Sequence, residues 1–85
     1  MYNFVFTKNG EKQFLKLDNQ DKERILSKLK YFKNNLDYNN NLRILNDMKP
    51  ATHRLRIWNI RIILEKINDC NFHILDIWYR WDIYK

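Results

Sequence analysis

The chain has 85 residues, which is enough for one domain, residues 1–85, with a single modest core. Apolar residues make up 45% of it, too many for a disordered chain, and no apolar run approaches the roughly 18 residues of a membrane span. The formal net charge of +6 predicts an anionic partner. The single cysteine, Cys70, excludes an intramolecular disulfide, and the N-terminus lacks a signal-peptide layout, so we expect a cytoplasmic protein.

The N-terminal residues predict a short strand followed by a first helix. Residues 2–6 combine aromatic and β-branched residues, as strands do. Thr7 is a suitable N-cap for a helix over residues 8–17. The side of this helix that we expect to be buried carries Phe14, Leu15 and Leu17.

A second, longer helix is predicted to begin after Asp18 or Asn19 and to run to about Asn35. Its apolar residues repeat at intervals of four, three and four, which is the period of one helix face; they are Ile25, Leu29, Phe32 and Leu36. Lysines occupy the opposite side of the helix, where a solvated face explains them more simply than a binding role does.

The C-terminal half predicts three strands. Residues 37–50 are irregular and end at Pro50; runs dense in Ile and Leu then cover residues 52–57, 60–67 and 71–78. The order β-α-α-β-β-β predicts an α+β fold in which two N-terminal helices pack on one face of a small antiparallel sheet.

Arginines alternate with apolar residues in the first two of these strands. If Trp58 and Asn59 form a two-residue turn, Arg56 pairs with Arg61, and Arg54 lies on the same sheet face. The other face then holds Leu55, Ile57, Ile60, Ile62 and Leu64. Like charges that lie opposite each other are destabilising, which favours a bound anion such as phosphate. The alternative is a solvated face that Glu65 and Asp76 partly neutralise.

The last hairpin extends this pattern. If Asn68 and Asp69 are also a two-residue turn, Arg61 lies opposite Asp76 and Ile63 opposite Ile74. Arg80 then joins the arginines. The same register puts His53 and His73 on the apolar face, where structural roles are expected.

The segments HRLRIWNIRIILEK and FHILDIWYRWDIYK resemble the C-terminal half of the RelE/ParE superfamily of toxins from toxin–antitoxin pairs. That family typically has an Arg-x-Arg strand, a short turn, an arginine in the next strand, and a last strand with Arg and then Tyr. The matching residues are Arg54, Arg56, Arg61, Arg80 and Tyr84. The N-terminal strand and helices also fit, so the resemblance covers nearly the whole chain.

This chain departs from the family pattern at three positions. Trp58 stands where the turn often has Gly, and Trp78 where the last strand often has Gly. Tyr79 stands where many members have His.

The resemblance implies a RelE-like endoribonuclease that cleaves mRNA, in association with the ribosome, without a metal or other cofactor. Four arginines would bind the scissile phosphate: Arg54, Arg56, Arg61 and Arg80. Tyr84 is the candidate proton donor or acceptor, and it could equally stack on a base. Lys49 and Trp81 are candidate RNA-binding residues. The tryptophans, Trp58 among them, either stack on bases, fill the core or contact an antitoxin.

The expected partners are a cognate acidic antitoxin, which would cover the basic surface, and mRNA. Two other functions stay open. A ParE-like toxin would inhibit DNA gyrase without catalysis, and a degenerate toxin would only bind nucleic acid. Within the endoribonuclease hypothesis, Arg61 is the expected centre of the anion site, and its replacement by Ala is expected to leave stability nearly unchanged.

Overall fold

Seven helices and strands follow one another in the part of the chain that the computed structural model describes, residues 1–36 and 41–79. They are β1 (Asn3–Phe6), α1 (Lys8–Leu15), α2 (Asn19–Asn35), β2 (Leu42–Ile44), β3 (His53–Ile57), β4 (Ile60–Lys66) and β5 (Asn71–Tyr79). The predicted α+β fold is confirmed. One further strand, β2, lies in the segment that the sequence indicated to be irregular.

Both helices begin at polar caps, as the sequence predicts. The Thr7 hydroxyl accepts a hydrogen bond from the Gly10 amide (3.1 Å), and the Asp18 carboxylate accepts one from the Asp21 amide (2.8 Å). α1 ends two residues earlier than expected, and Leu15 is exposed, so its predicted burial was wrong.

The five strands form one sheet in the order β1-β5-β4-β3-β2. β1 pairs with β5 in parallel, and the other neighbours are antiparallel. β1 and β5 can be parallel neighbours because the chain between them is long: it contains both helices and the other three strands.

The hydrophobic core lies between α2 and one sheet face. Three residues of the predicted α2 stripe are buried there: Ile25, Leu29 and Phe32. The sheet contributes Leu42, Leu55, Ile57, Ile60, Ile62, Leu64, Phe72, Ile74 and Ile77. We call the opposite face of the sheet, which carries Arg43, Arg54, Arg56 and Arg61, the arginine face.

α1 lies directly on β5, and this approach depends on the only glycine of the chain. A Cβ atom added to Gly10 would collide with the carbonyl oxygen of Ile74. The Thr7 hydroxyl, which caps α1, also donates to that carbonyl at 2.9 Å. The absent side chain therefore sets the distance between helix and strand.

The register between β4 and β5 differs from the sequence prediction. An irregularity beside Ile63 and Leu64 shifts the pairing, so that Arg61 lies opposite Trp78 and Ile63 opposite Asp76. The expected pairing of Arg61 with Asp76 is therefore wrong. A two-residue turn at Asn68–Asp69 does not form either, because the Asn68 side chain accepts from the amides of Cys70 and Asn71 and holds a longer loop.

Candidate anion-binding site

The arginine face carries two pairs of facing arginines. The β3–β4 register is the predicted one, and it puts Arg56 opposite Arg61. On the other side of β3, Arg43 of β2 lies opposite Arg54. Sequence reasoning missed Arg43, because the three-residue strand Leu42–Ile44 is too short for its alternation to stand out from a loop.

Three of these arginines have no ion-pair partner among residues 1–36 and 41–79: Arg43, Arg54 and Arg56. The ion pair seen in that part of the chain joins Arg24 to Asp21 on α2. Asp76, the acidic residue nearest in register, accepts a hydrogen bond from the Ile77 amide. Their positive charge is thus not balanced by the described carboxylates, and they line a recess of about 60 Å³ together with Asn41.

Arg61 differs from its neighbours because it is buried, with only 8% of its surface exposed. Its Nη1 donates to the carbonyl oxygens of Trp58 (3.2 Å) and Ile60 (3.3 Å). The guanidinium therefore stabilises the β3–β4 turn from within, in addition to any contact that it makes with a ligand.

A larger cleft opens where this turn meets α2. Its volume is about 550 Å³. We call it the turn cleft; it is lined by Lys28, Phe32, Asn41, Arg56, Ile57, Trp58 and Arg61. α2, β3 and β4 each bring one cation to it: Lys28, Arg56 and Arg61.

Trp58 occupies the first position of the two-residue turn with a φ of 56°. Among the described residues it is the one non-glycine with a positive φ. This left-handed conformation costs a residue with a Cβ atom about 1–2 kcal/mol, and hairpin turns of this kind favour Gly or Asn. The indole is 66% exposed, and the Arg24 guanidinium lies 5.1 Å from its ring centroid.

Tyr79 has a structural contact. It lies at the end of β5, and its hydroxyl donates to a carboxylate oxygen of Asp21 at 2.6 Å. Asp21 is buried near the start of α2. The bond therefore fixes the N-terminal turn of α2 to the sheet.

Of the other predicted site residues, one lies away from the β3–β4 turn and three lie outside the described part of the chain. Lys49 is exposed in the loop before β3, whereas the Trp58 turn follows the end of β3, so the two lie at opposite ends of that strand. Arg80, Trp81 and Tyr84 lie outside the described residues.

The two histidines lie on different faces. His53 is buried on the core side, as predicted, with its ring in edge contact with Phe72. Burial, with a smaller effect of the Lys66 charge, lowers the pKa of His53 from its usual 6.5. His73 pairs with Glu65 and with Val5, which alternates with the core-facing Phe4 and Phe6, so its predicted place on the apolar face was wrong.

No group of three metal-ligating side chains occurs within the described residues. Neither of the two described helices is both long and apolar enough to cross a membrane.

The same arrangement of helices and strands is found in a solved structure. A chain of the RelB–RelE antitoxin–toxin complex from Methanococcus jannaschii matches this chain with a TM-score of 0.71. The match covers 95% of each chain at 19% sequence identity. This chain has a RelE-like fold. No protein-family model and no curated protein sequence matches it.

Proposed function

We propose that this protein is the toxin of a toxin–antitoxin pair and that it is a metal-independent endoribonuclease acting on mRNA at the ribosome. The observation that carries the proposal is the arginine face of a RelE-like fold. There, Arg43 faces Arg54 and Arg56 faces Arg61. Such facing charges lower stability unless an anion binds between them, and the planar guanidinium suits phosphate.

Cleavage of RNA without a metal requires three events at one phosphate. The 2′-OH loses its proton and its oxygen attacks phosphorus, the phosphate gains charge in the transition state, and the departing 5′-oxygen takes up a proton. Arg54 and Arg56 would bind the phosphate and stabilise the added charge, with Arg61 and Arg80 completing the cationic site. Tyr84 would exchange the protons, provided that the surrounding cations lower its ordinary pKa of about 10.

The second partner in this proposal is an antitoxin. The net charge of +6, and three arginines without an ion pair among the described residues (Arg43, Arg54 and Arg56), favour a segment rich in Asp and Glu that lies over the arginine face and excludes RNA. The RelE-like structural neighbour is itself part of an antitoxin–toxin complex, which supports this pairing.

The experiment that tests the function is induced expression in growing cells, followed by mapping of mRNA 5′ ends. New 5′ ends within translated regions are expected soon after induction. Growth arrest without new ends, accompanied by inhibited gyrase, would replace the proposal with the ParE-like function. Binding of nucleic acid with neither effect would replace it with the degenerate-toxin alternative.

Arg56 provides the cleanest test of the arginine face, because it is exposed and forms no ion pair in the described structure. Arg56→Ala is expected to slow single-turnover cleavage of ribosome-bound mRNA by about 10²–10³, by analogy with the loss of one oxyanion donor. The melting temperature should not fall. Lys16→Ala, which removes an exposed charge of the same sign from the end of α1, is the matched control. Equal rates for the Arg56 variant and the parent protein would contradict the proposed site.

A further inference from the structure

Trp58 combines two features that folding alone does not explain. Its backbone is in the left-handed region, where Gly is favoured, and its indole is 66% exposed, so burial offsets little of the strain. Strained residues persist where the surrounding structure holds them, and they often mark binding sites.

The indole is contacted from α2, and the Trp58 backbone is held within the turn. The Arg24 guanidinium lies over the ring at 5.1 Å, and Arg24 is itself paired with Asp21 at 3.5 Å. The Trp58 carbonyl accepts a hydrogen bond from Arg61. An aromatic ring that is positioned before binding loses little conformational freedom when a ligand stacks on it.

The chemistry beside the ring fits a nucleotide better than an apolar peptide. Lys28 and Arg56 line the turn cleft together with Trp58, and its volume of about 550 Å³ is within the range of about 300–1,000 Å³ typical of small-ligand sites. Its apolar lining residues, Phe32 and Ile57, are each only 2% exposed and present little hydrophobic surface. Exposed aromatic rings among cations are typical of sites for single-stranded nucleic acid.

We propose that Trp58 is a stacking platform for one base of a single-stranded RNA, and that Lys28 and Arg56 bind the phosphates next to that base. This inference rests on the proposed function and names a subsite of its substrate. Stacking on an indole does not select one base, so the subsite holds the strand and leaves the choice of cleavage site to other contacts.

The test uses oligoribonucleotides of about eight nucleotides, a length within the range of single-strand binding sites. The sugars are 2′-O-methylated, so that attack by the 2′-oxygen cannot occur. In a series of these probes, a single abasic nucleotide occupies each position in turn, and binding to the full chain is measured by fluorescence anisotropy. One position is expected to weaken binding by about 5- to 100-fold, which is the range for losing one stacked base.

Trp58→Gly is the decisive variant, because Gly is the residue that suits the left-handed turn. It is expected to melt no lower than the parent protein, to bind the intact oligonucleotide about 5- to 100-fold more weakly, and to lose the position-specific effect of the abasic nucleotide. Trp58→Phe should recover part of the affinity. Lys28→Ala should weaken binding at every abasic position equally, whereas Lys16→Ala, the control on α1, should have a much smaller effect.

Several outcomes would overturn the inference. Unchanged binding by Trp58→Gly would show that the indole does not stack on RNA and would overturn the inference. A loss that is the same with and without the abasic nucleotide would show that Trp58 acts through the turn and not by stacking. Because the probes cannot be cleaved, these results are independent of catalysis: a protein that cleaves mRNA but binds without Trp58 refutes only the subsite. Trp58-dependent binding without mRNA cleavage refutes only the proposed reaction.

Discussion

Arg56 and Arg61 lie opposite each other on neighbouring strands, but their surroundings differ. Arg56 is exposed, whereas Arg61 is buried with its Nη1 on two carbonyl oxygens of the turn. The sequence suggested that Arg61 could be removed at little cost to stability. Because the buried guanidinium donates to backbone carbonyls, we instead expect its removal to lower stability.

Arg61→Ala is therefore predicted to reduce both activity and stability. Loss of its hydrogen bonds leaves the Trp58 and Ile60 carbonyls without those donors and should lower the free energy of unfolding by about 1–3 kcal/mol. Arg61→Lys should restore part of the stability but little of the cleavage, because an ammonium cannot reproduce the guanidinium fork. Urea unfolding of each variant, with single-turnover cleavage at a temperature where all are folded, separates the two effects. An Arg61→Ala protein as stable as the parent would contradict the structural role.

At the scale of elements, contacts with β5 attach the N-terminal part of each helix to the sheet. α1 lies against the Ile74 carbonyl through Gly10, and α2 is joined to the end of the strand by the bond between Tyr79 and Asp21. Neither contact involves an arginine of the arginine face. The sheet can therefore present arginines on that face without weakening the attachment of the helices.

Gly10→Ala tests this packing. The added Cβ atom would collide with the Ile74 carbonyl oxygen, so α1 must move away from β5 despite the better helix propensity of Ala. Overpacking of this kind should lower the free energy of unfolding by about 1–3 kcal/mol. Lys12→Ala, an exposed change in the same helix, is the control and should have little effect. A Gly10→Ala protein that is more stable than the parent would show that the helix does not lie this close to the strand.

At the scale of the whole molecule, the arginines of β2, β3 and β4 and the buried His53 lie on opposite sides of the sheet. The arginines occupy the outer face, whereas His53 is buried on the core side, where its Nδ1 lies 2.8 Å from the Thr52 hydroxyl. Thr52 also bonds to β4 through the amide of Lys66. Protonation of His53 would therefore place a charge inside the packing that joins β3 to β4.

Global stability should consequently fall in mildly acidic solution. The pKa of His53 is lowered in the folded protein, so below about pH 6.5 the unfolded chain binds a proton that the folded chain does not. This contribution is complete above pH 6.5 and is lost as the pH falls toward the folded pKa, with a slope of at most about 1.4 kcal/mol per pH unit. Urea unfolding of the parent and of His53→Gln at about pH 7.5 and about pH 5.5 measures it, because carboxylates contribute equally to both proteins. Parallel losses in the two proteins would exclude His53 as the cause.

Sequence alone determined the order of the main elements and the face of each arginine in β3 and β4. The periods of 3.6 and 2 are local properties of a helix and a strand, and they require only that the apolar side be buried. The helix period therefore identified Ile25, Leu29 and Phe32 as core residues. The pairing of Arg56 with Arg61 followed from a turn of two residues between β3 and β4.

Tertiary structure decided how these elements fit together. The loop held by Asn68 and the irregularity at Ile63–Leu64 shift the β4–β5 register, which exchanges Asp76 for Trp78 opposite Arg61. Such a shift depends on side chains from several strands packing at once, and alternation within one strand does not contain it. The positions of Arg43 and Lys28 also depend on tertiary structure. Arg43 joins the arginine face because β2 pairs with β3, and Lys28 lines the turn cleft because α2 packs beside the β3–β4 hairpin.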